Sequence, residues 1–96
     1  MNTECDRVIH EPARLKIMAI LARGEEVDFN FLLGAFKLTR GNLSRHVEKL
    51  EAANYVKVKK SYSGNVPKTG YQITQKGAKA LSQYWANLDA IRRLGR

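Results

Sequence analysis

The side chains with the most chemistry to offer fall in one short stretch: Thr39, Arg40, Asn42, Ser44, Arg45 and Lys49. Together they supply guanidinium, amide, hydroxyl and ammonium groups, a set that bonds phosphate oxygens and base edges. Arg engages guanine O6 and N7 bidentately, so Arg40 and Arg45 are candidates for base contact. The plain alternative for each is a phosphate or solvent. Asn42 suits adenine or a phosphate. Ser44 and Thr39 suit contacts that position a helix without reading sequence.

Other chemistries find no footing. The two histidines, His10 and His46, lie thirty-six positions apart, and the nine carboxylates are scattered. No Gly-rich phosphate loop and no nucleophile with a nearby base can be picked out. A single cysteine, Cys5, rules out an internal disulfide and a clustered thiolate site. His10-Glu11 resembles the start of a zinc-binding helix motif only superficially, because position 14 is Arg and Pro12 breaks the register. No metal, no cofactor and no enzymatic activity are expected. His46 reads as a residue at the edge of the core.

Charge points the same way as the side-chain set. The chain carries a net charge of +8. Residues 37–79 hold ten basic and two acidic side chains, while residues 1–36 are net acidic. A basic excess confined to one segment implies a polyanionic partner. Nucleic acid fits better than a membrane, since the segment lacks a lipid-seeking amphipathic helix. Lys37, Lys49, Lys57, Lys59, Lys60 and Lys68 are candidate phosphate contacts, and Tyr62 is able to stack or to bond a phosphate. No apolar run approaches the ~20 residues that cross a bilayer, and the N-terminus has no signal-peptide pattern. A cytoplasmic chain is expected. Its 96 residues suit one domain, 1–96, burying about 60–70% of its unfolded surface.

The elements that must position these groups are legible from periodicity. Leu43, Val47 and Leu50 form an apolar stripe on a helix over 39–54, with Thr39 as N-cap and Asn54 as the left-handed residue past its end. Before it, Asp28 caps a helix with Phe29, Leu32, Leu33 and Phe36 on one side. Gly34 inside that helix is expected to mark close packing. Residues 37–39 make a three-residue turn, completing a helix-turn-helix, with Leu38 plugging it. The first helix begins near Glu11, carries Pro12 in its first turn and ends at Gly24. Its stripe is Leu15, Met18, Leu21 and Ala22. Ile17 and Ile20 widen that stripe enough to suggest two partners, one of them a second subunit. Residues 1–8 are expected to be loose, and Glu25-Glu26 a solvated turn.

After Asn54 the period changes to alternation. Residues 55–59 and 69–73 read as two strands with Val56, Val58, Tyr71 and Ile73 inward, joined by a long tip over 60–68. Thr74 then caps a helix to about Leu94, with Ala78, Leu81, Tyr84, Trp85, Leu88 and Ile91 as its apolar positions. Leu81–Leu88 and Tyr84–Ile91 are seven apart, near a coiled-coil repeat. A Trp on such a helix needs burial. A homodimer is expected, with Ile9, Leu81, Tyr84, Trp85, Leu88 and Ile91 at its interface.

This order of three helices, a two-stranded wing and a long C-terminal helix is the winged helix-turn-helix, α+β and mainly α. Residues 38–56, Leu-Thr-Arg-Gly-Asn-Leu-Ser-Arg-His-Val-Glu-Lys-Leu-Glu-Ala-Ala-Asn-Tyr-Val, resemble the MarR and ArsR families of transcriptional regulators. The run from Pro67 through Tyr71, Thr74 and Gly77 is similar to the MarR-type wing and its exit into the last helix. Asn54 stands where Gly is usual, and Val66 where a basic residue is common. The resemblance implies a winged-helix core over 9–74 and a dimerisation helix over 75–94. It also implies a homodimer on double-stranded DNA at a pseudo-palindromic operator. The helix over 39–54 would then enter the major groove, with the wing over 60–69 (Lys60, Tyr62 and Lys68 among its residues) on flanking backbone or minor groove. A protein-docking module of transcription or replication machinery is the alternative from another class. RNA binding is weaker still, for want of stacking aromatics on the basic face.

Overall fold

A computed structural model describes residues 2–95; Met1 and Arg96, the ends of the expected domain, lie outside the described residues. The elements run α1 (Pro12–Leu21), β1 (Val27–Asp28), α2 (Phe29–Phe36), α3 (Arg40–Ala52), β2 (Val56–Ser63), β3 (Val66–Ile73) and α4 (Gln75–Leu94). The strands form one antiparallel sheet in the order β1-β3-β2. Ile9, Ile17, Met18, Leu21, Leu32, Leu43 and Leu50, from the helices and the segment before α1, are fully buried in the core. Each such side chain contributes about 1.5–3 kcal/mol by leaving water.

α1 is the hub. Pro12 occupies its first turn, and Glu11 caps it by accepting from the Arg14 N–H at 2.8 Å. The helix packs on α2, α3, α4 and β3. Its broad apolar surface is therefore covered within one chain, and Ile17 and Ile20 need no second subunit. Asp28 caps α2 by accepting from Asn30 N–H at 3.1 Å.

Several expectations are corrected. The expected two-stranded wing is present as β2 and β3, but an unexpected third strand, β1, joins its sheet: Val27 pairs with Tyr71, and Asp28 with Gly70. Two residues are too few to show alternation, so this pairing arises from tertiary contact alone. The wing is longer and its tip tighter than expected. β2 and β3 pair in register out to Ser63 opposite Val66, leaving Gly64 and Asn65 as a two-residue turn. Gly64 takes φ 63°, as the first central position of a type II′ hairpin turn requires. Gly34 does not mark close packing; the space where its Cβ would stand is open.

The N-terminal segment, expected to be loose, is docked. Asp6 accepts from the Val8 N–H at 2.8 Å and from the Tyr55 hydroxyl. The Asn87 side chain bonds the Glu4 carbonyl. Ile9 is fully buried, with Cys5 and Val8 packed beside it. Apolar residues interleaved with polar ones gave no helix or strand period, yet three of them reach the core. The acidic turn is also partly engaged: Glu26 lies 3.9 Å from the Lys59 ammonium and covers Gly70.

On α4 the expected stripe is rotated. Leu81 and Tyr84 are buried within the protomer, together with Gly77, Asn87 and Ala90. Ala78 is exposed. Trp85, expected to be covered, is 46% exposed, with its ring edge-on to Tyr84. Ile9, Leu81 and Tyr84 are thus interior side chains and offer little surface for a partner. Trp85, Ile91 and Leu94 are the large apolar residues that α4 leaves exposed.

Candidate nucleic-acid interface

α3 is fixed at both ends. Thr39 Oγ1 accepts from the Asn42 N–H at 3.1 Å, the N-cap arrangement. At the other end Asn54 takes φ 63°, its N–H bonds the Glu51 carbonyl and the Tyr55 N–H bonds the Leu50 carbonyl, the two closures of a Schellman motif. Leu43, Val47 and Leu50 bury one side of the helix. At 100° per residue, the opposite side presents Gly41, Arg45, Glu48 and Ala52, all exposed. The turn before α3 closes on Lys37, which takes the left-handed conformation with φ 52°.

The flanks of α3 differ. On the wing side, Arg40, Ser44, Glu48 and Glu51 line a groove of about 360 Å³ against Lys60, Thr69 and Tyr71 of the hairpin. On the far side, Lys49 lines a second groove with Arg7 and Arg14. Arg40 is tethered: its guanidinium stands 5.5 Å over the Phe29 ring and donates to Asn30 Oδ1 at 3.3 Å. Arg45, five residues on and about 140° around the helix, is exposed to solvent. Two Arg that look equivalent in the sequence therefore occupy different places.

Strand alternation sorts the wing. Val56, Val58, Lys60 and Tyr62 share one face with Ile73, Tyr71, Thr69 and Pro67, which continues the core face outward beside α3. Lys57, Lys59 and Lys68 lie on the reverse face. Tyr62 is 74% exposed, directly opposite Pro67 at the tip. Lys60 and Lys68, expected at one site, project from opposite faces. The exposed Val66 occupies the first paired position after the turn, opposite Ser63.

His46 lies at the edge of the core, as its sequence position suggests. Arg14 Nη1 donates to its Nδ1 at 3.2 Å, and Glu11 Oε1 is 3.8 Å away. Arg14 Nε donates to the Val8 carbonyl at 2.5 Å, so this bridge ties α1, α3 and the N-terminal segment together. His10 Nδ1 shares a hydrogen bond of 2.8 Å with the Tyr84 hydroxyl. Among the described residues, no three His, Cys, Asp or Glu side chains come together as a metal site would need. No helix among them is long and apolar enough to cross a membrane.

Sequence reasoning missed Glu48 on the outward face of α3, and Arg7 and Arg14 beside Lys49. Glu48 was detectable from helical phase alone, being one turn from Arg45 and opposite the buried stripe. Arg7 and Arg14 were not, because the N-terminal fold that brings them there has no periodic signal.

The comparisons with known proteins agree with this geometry. A family model described as a winged helix DNA-binding domain matches residues 13–92. An uncharacterised protein of Methanocaldococcus jannaschii is 38% identical over 78 residues, covering 81% of this chain and 85% of that protein. The transcriptional regulator homologue of Pyrococcus horikoshii superposes with a TM-score of 0.84 at 28% identity, over 92% of this chain and 87% of that one. A MarR-family regulator from Porphyromonas gingivalis shares the fold, with a TM-score of 0.69 at 19% identity over 93% of this chain and 82% of that one. Both of these solved structures are named as transcriptional regulators. With a capped helix-turn-helix, a hairpin wing and a family match across nearly all of its elements, the chain belongs to the winged helix DNA-binding domain family.

Proposed function

We propose that this protein is a sequence-specific, double-stranded DNA-binding transcriptional regulator that acts as a homodimer. α3 enters the major groove and the wing lies on the flanking backbone or minor groove. The observation that carries this reading is the division of α3: one side is seated on the core by Leu43, Val47 and Leu50, while the other presents Arg45 with Asn42 and Lys49 beside it. Lys60 and Tyr62 extend from the wing on the same side of the sheet as α3. A protein-docking winged helix would present apolar side chains there, and the outward face of α3 has no large one.

Arg45 reads a base, with Asn42 at its flank. Arg40, held against Phe29 and Asn30, fits a backbone phosphate at the edge of the groove. Ser44, Thr39, Lys49, Lys60 and Lys68 supply positioning and charge. Trp85, Ile91 and Leu94 of α4 are the side chains for the second subunit to cover, with Leu88 next to them. Selection of bound sequences from a random duplex pool at two salt concentrations tests the proposal. The expected result is an inverted repeat with half-sites about 34–36 Å apart, bound less tightly as salt rises. Recovery of no motif, with binding lost at moderate salt, would replace it with non-specific attraction and favour the docking reading.

A further inference from the structure

The face of α3 aimed at DNA under the proposed reading carries an acid. Glu48 is exposed opposite the buried stripe and has no ion-pair partner among the described residues, although Arg45 stands one turn before it and Lys60 lines the same groove. A carboxylate directed at a polyanion opposes binding everywhere along the duplex, because each unit of like charge works against phosphate neutralisation. A helix built only to hold phosphates gains nothing from it there. In the major groove cytosine N4 and adenine N6 both donate, but adenine sets the acceptor N7 beside its amino group and so repels a second carboxylate oxygen, which leaves cytosine N4 as the donor that suits Glu.

We infer that Glu48 is a specificity-determining residue that accepts a hydrogen bond from cytosine N4, one base pair from the guanine read by Arg45. The spacing fits. Three helical residues rise about 4.5 Å, close to the ~3.4 Å step between base pairs. Arg45 and Glu48 lie about 60° apart around the helix, on either side of the direction opposite the core. The pairing makes the acid selective: opposite cytosine its charge meets a donor, while opposite guanine or thymine it meets acceptors and is repelled. Glu51 carries the same charge on the flank of the helix nearer the wing, where it lines the groove and faces the hairpin.

This rests on the major-groove reading, so its test must separate the two. Sequence selection is run on the wild-type protein, Glu48→Ala, Glu48→Gln and Glu51→Ala. Both substituted positions, 48 and 51, are exposed, and thermal unfolding checks that each variant is folded. The expected outcome for Glu48→Ala is loss of an about 5- to 160-fold preference for cytosine at one position of each half-site, the range one good base contact supplies, with tighter binding to random duplex. Glu48→Gln should move that preference toward adenine, which Gln bonds through N6 and N7. Glu51→Ala should tighten binding to all sequences alike and leave the motif intact. A motif unchanged in both Glu48 variants would overturn the inference while leaving the major-groove reading in place. No motif in the wild-type selection would overturn both.

Discussion

Among single residues, Arg40 and Arg45 separate most clearly. In the sequence both are Arg on the polar side of one helix. In the fold Arg40 is drawn onto Phe29 and Asn30, and Arg45 is free in solvent. Arg45→Ala is expected to weaken operator binding by about 1–3 kcal/mol and binding to random duplex much less. Arg40→Ala should weaken both about equally and reduce the salt slope by about one. Competition binding against operator and random DNA at several salt concentrations reads both. An equal loss for Arg45 would make it a phosphate contact. Tyr55 gives a prediction of another kind. Burial, then the hydrogen bond and charge of Asp6, push its hydroxyl from 10.0 up to about 12. Burial also raises Tyr71 and Tyr84. A raised folded value means that the stabilisation is complete below pH 10 and is lost as pH climbs toward 12. Urea midpoints should therefore fall across pH 10–12. In Tyr55→Phe that alkaline decline should be shallower, because this hydroxyl no longer has a proton to lose.

For the elements, the joint between wing and α4 is the most constrained. Thr74 serves it three ways: its N–H bonds the Tyr55 carbonyl at 3.0 Å, its hydroxyl donates to the Asn54 carbonyl at 2.7 Å, and the same oxygen accepts from the Gly77 N–H at 2.9 Å. Gly77 packs so closely on Tyr55 that a Cβ there would collide with the Tyr55 carbonyl oxygen. The obstacle is backbone and cannot swing away. Gly77→Ala should cost about 1–3 kcal/mol in urea unfolding, while Gly34→Ala, in open space inside α2, should be neutral or stabilising by up to ~1 kcal/mol. The spacing of Tyr71, Thr74 and Gly77, visible in the sequence as a resemblance to the MarR-type wing, thus has a local cause. Tyr71 enters the core, Thr74 caps the helix, and Gly77 permits the approach of α4.

Across the whole molecule, α4 is covered unevenly. Tyr84 is buried on one side of the helix, while Trp85, Ile91 and Leu94 remain in solvent, an arrangement suited to a second copy along α4. Trp85→Glu combined with Ile91→Glu should yield a monomer by light scattering without loss of helical signal. Its affinity for an inverted repeat should drop toward that for a single half-site. A dimer that survived both substitutions would place the interface elsewhere. The protein measures 56 × 26 × 20 Å, with a basic helix on one surface and this apolar strip on another.

The sequence by itself determined what depends on local periodicity and end chemistry. Thr39, Asp28 and Thr74 cap the helices they were expected to cap, Asn54 takes the left-handed conformation, and Leu43, Val47 and Leu50 face the core. Each is a property of neighbours within one or two turns, so nearby residues carry enough information. The tertiary structure decided what depends on distant partners. It set β1 on β3, docked residues 4–9 through Asp6, Tyr55 and Asn87, buried Ile9, Leu81 and Tyr84, and left Trp85 outside. It also sorted Lys60 from Lys68 and Arg40 from Arg45. Residue type and helical phase say which side chains are polar and which way they point from their own element. What each one meets depends on how the elements pack, and no short-range pattern in the chain encodes that.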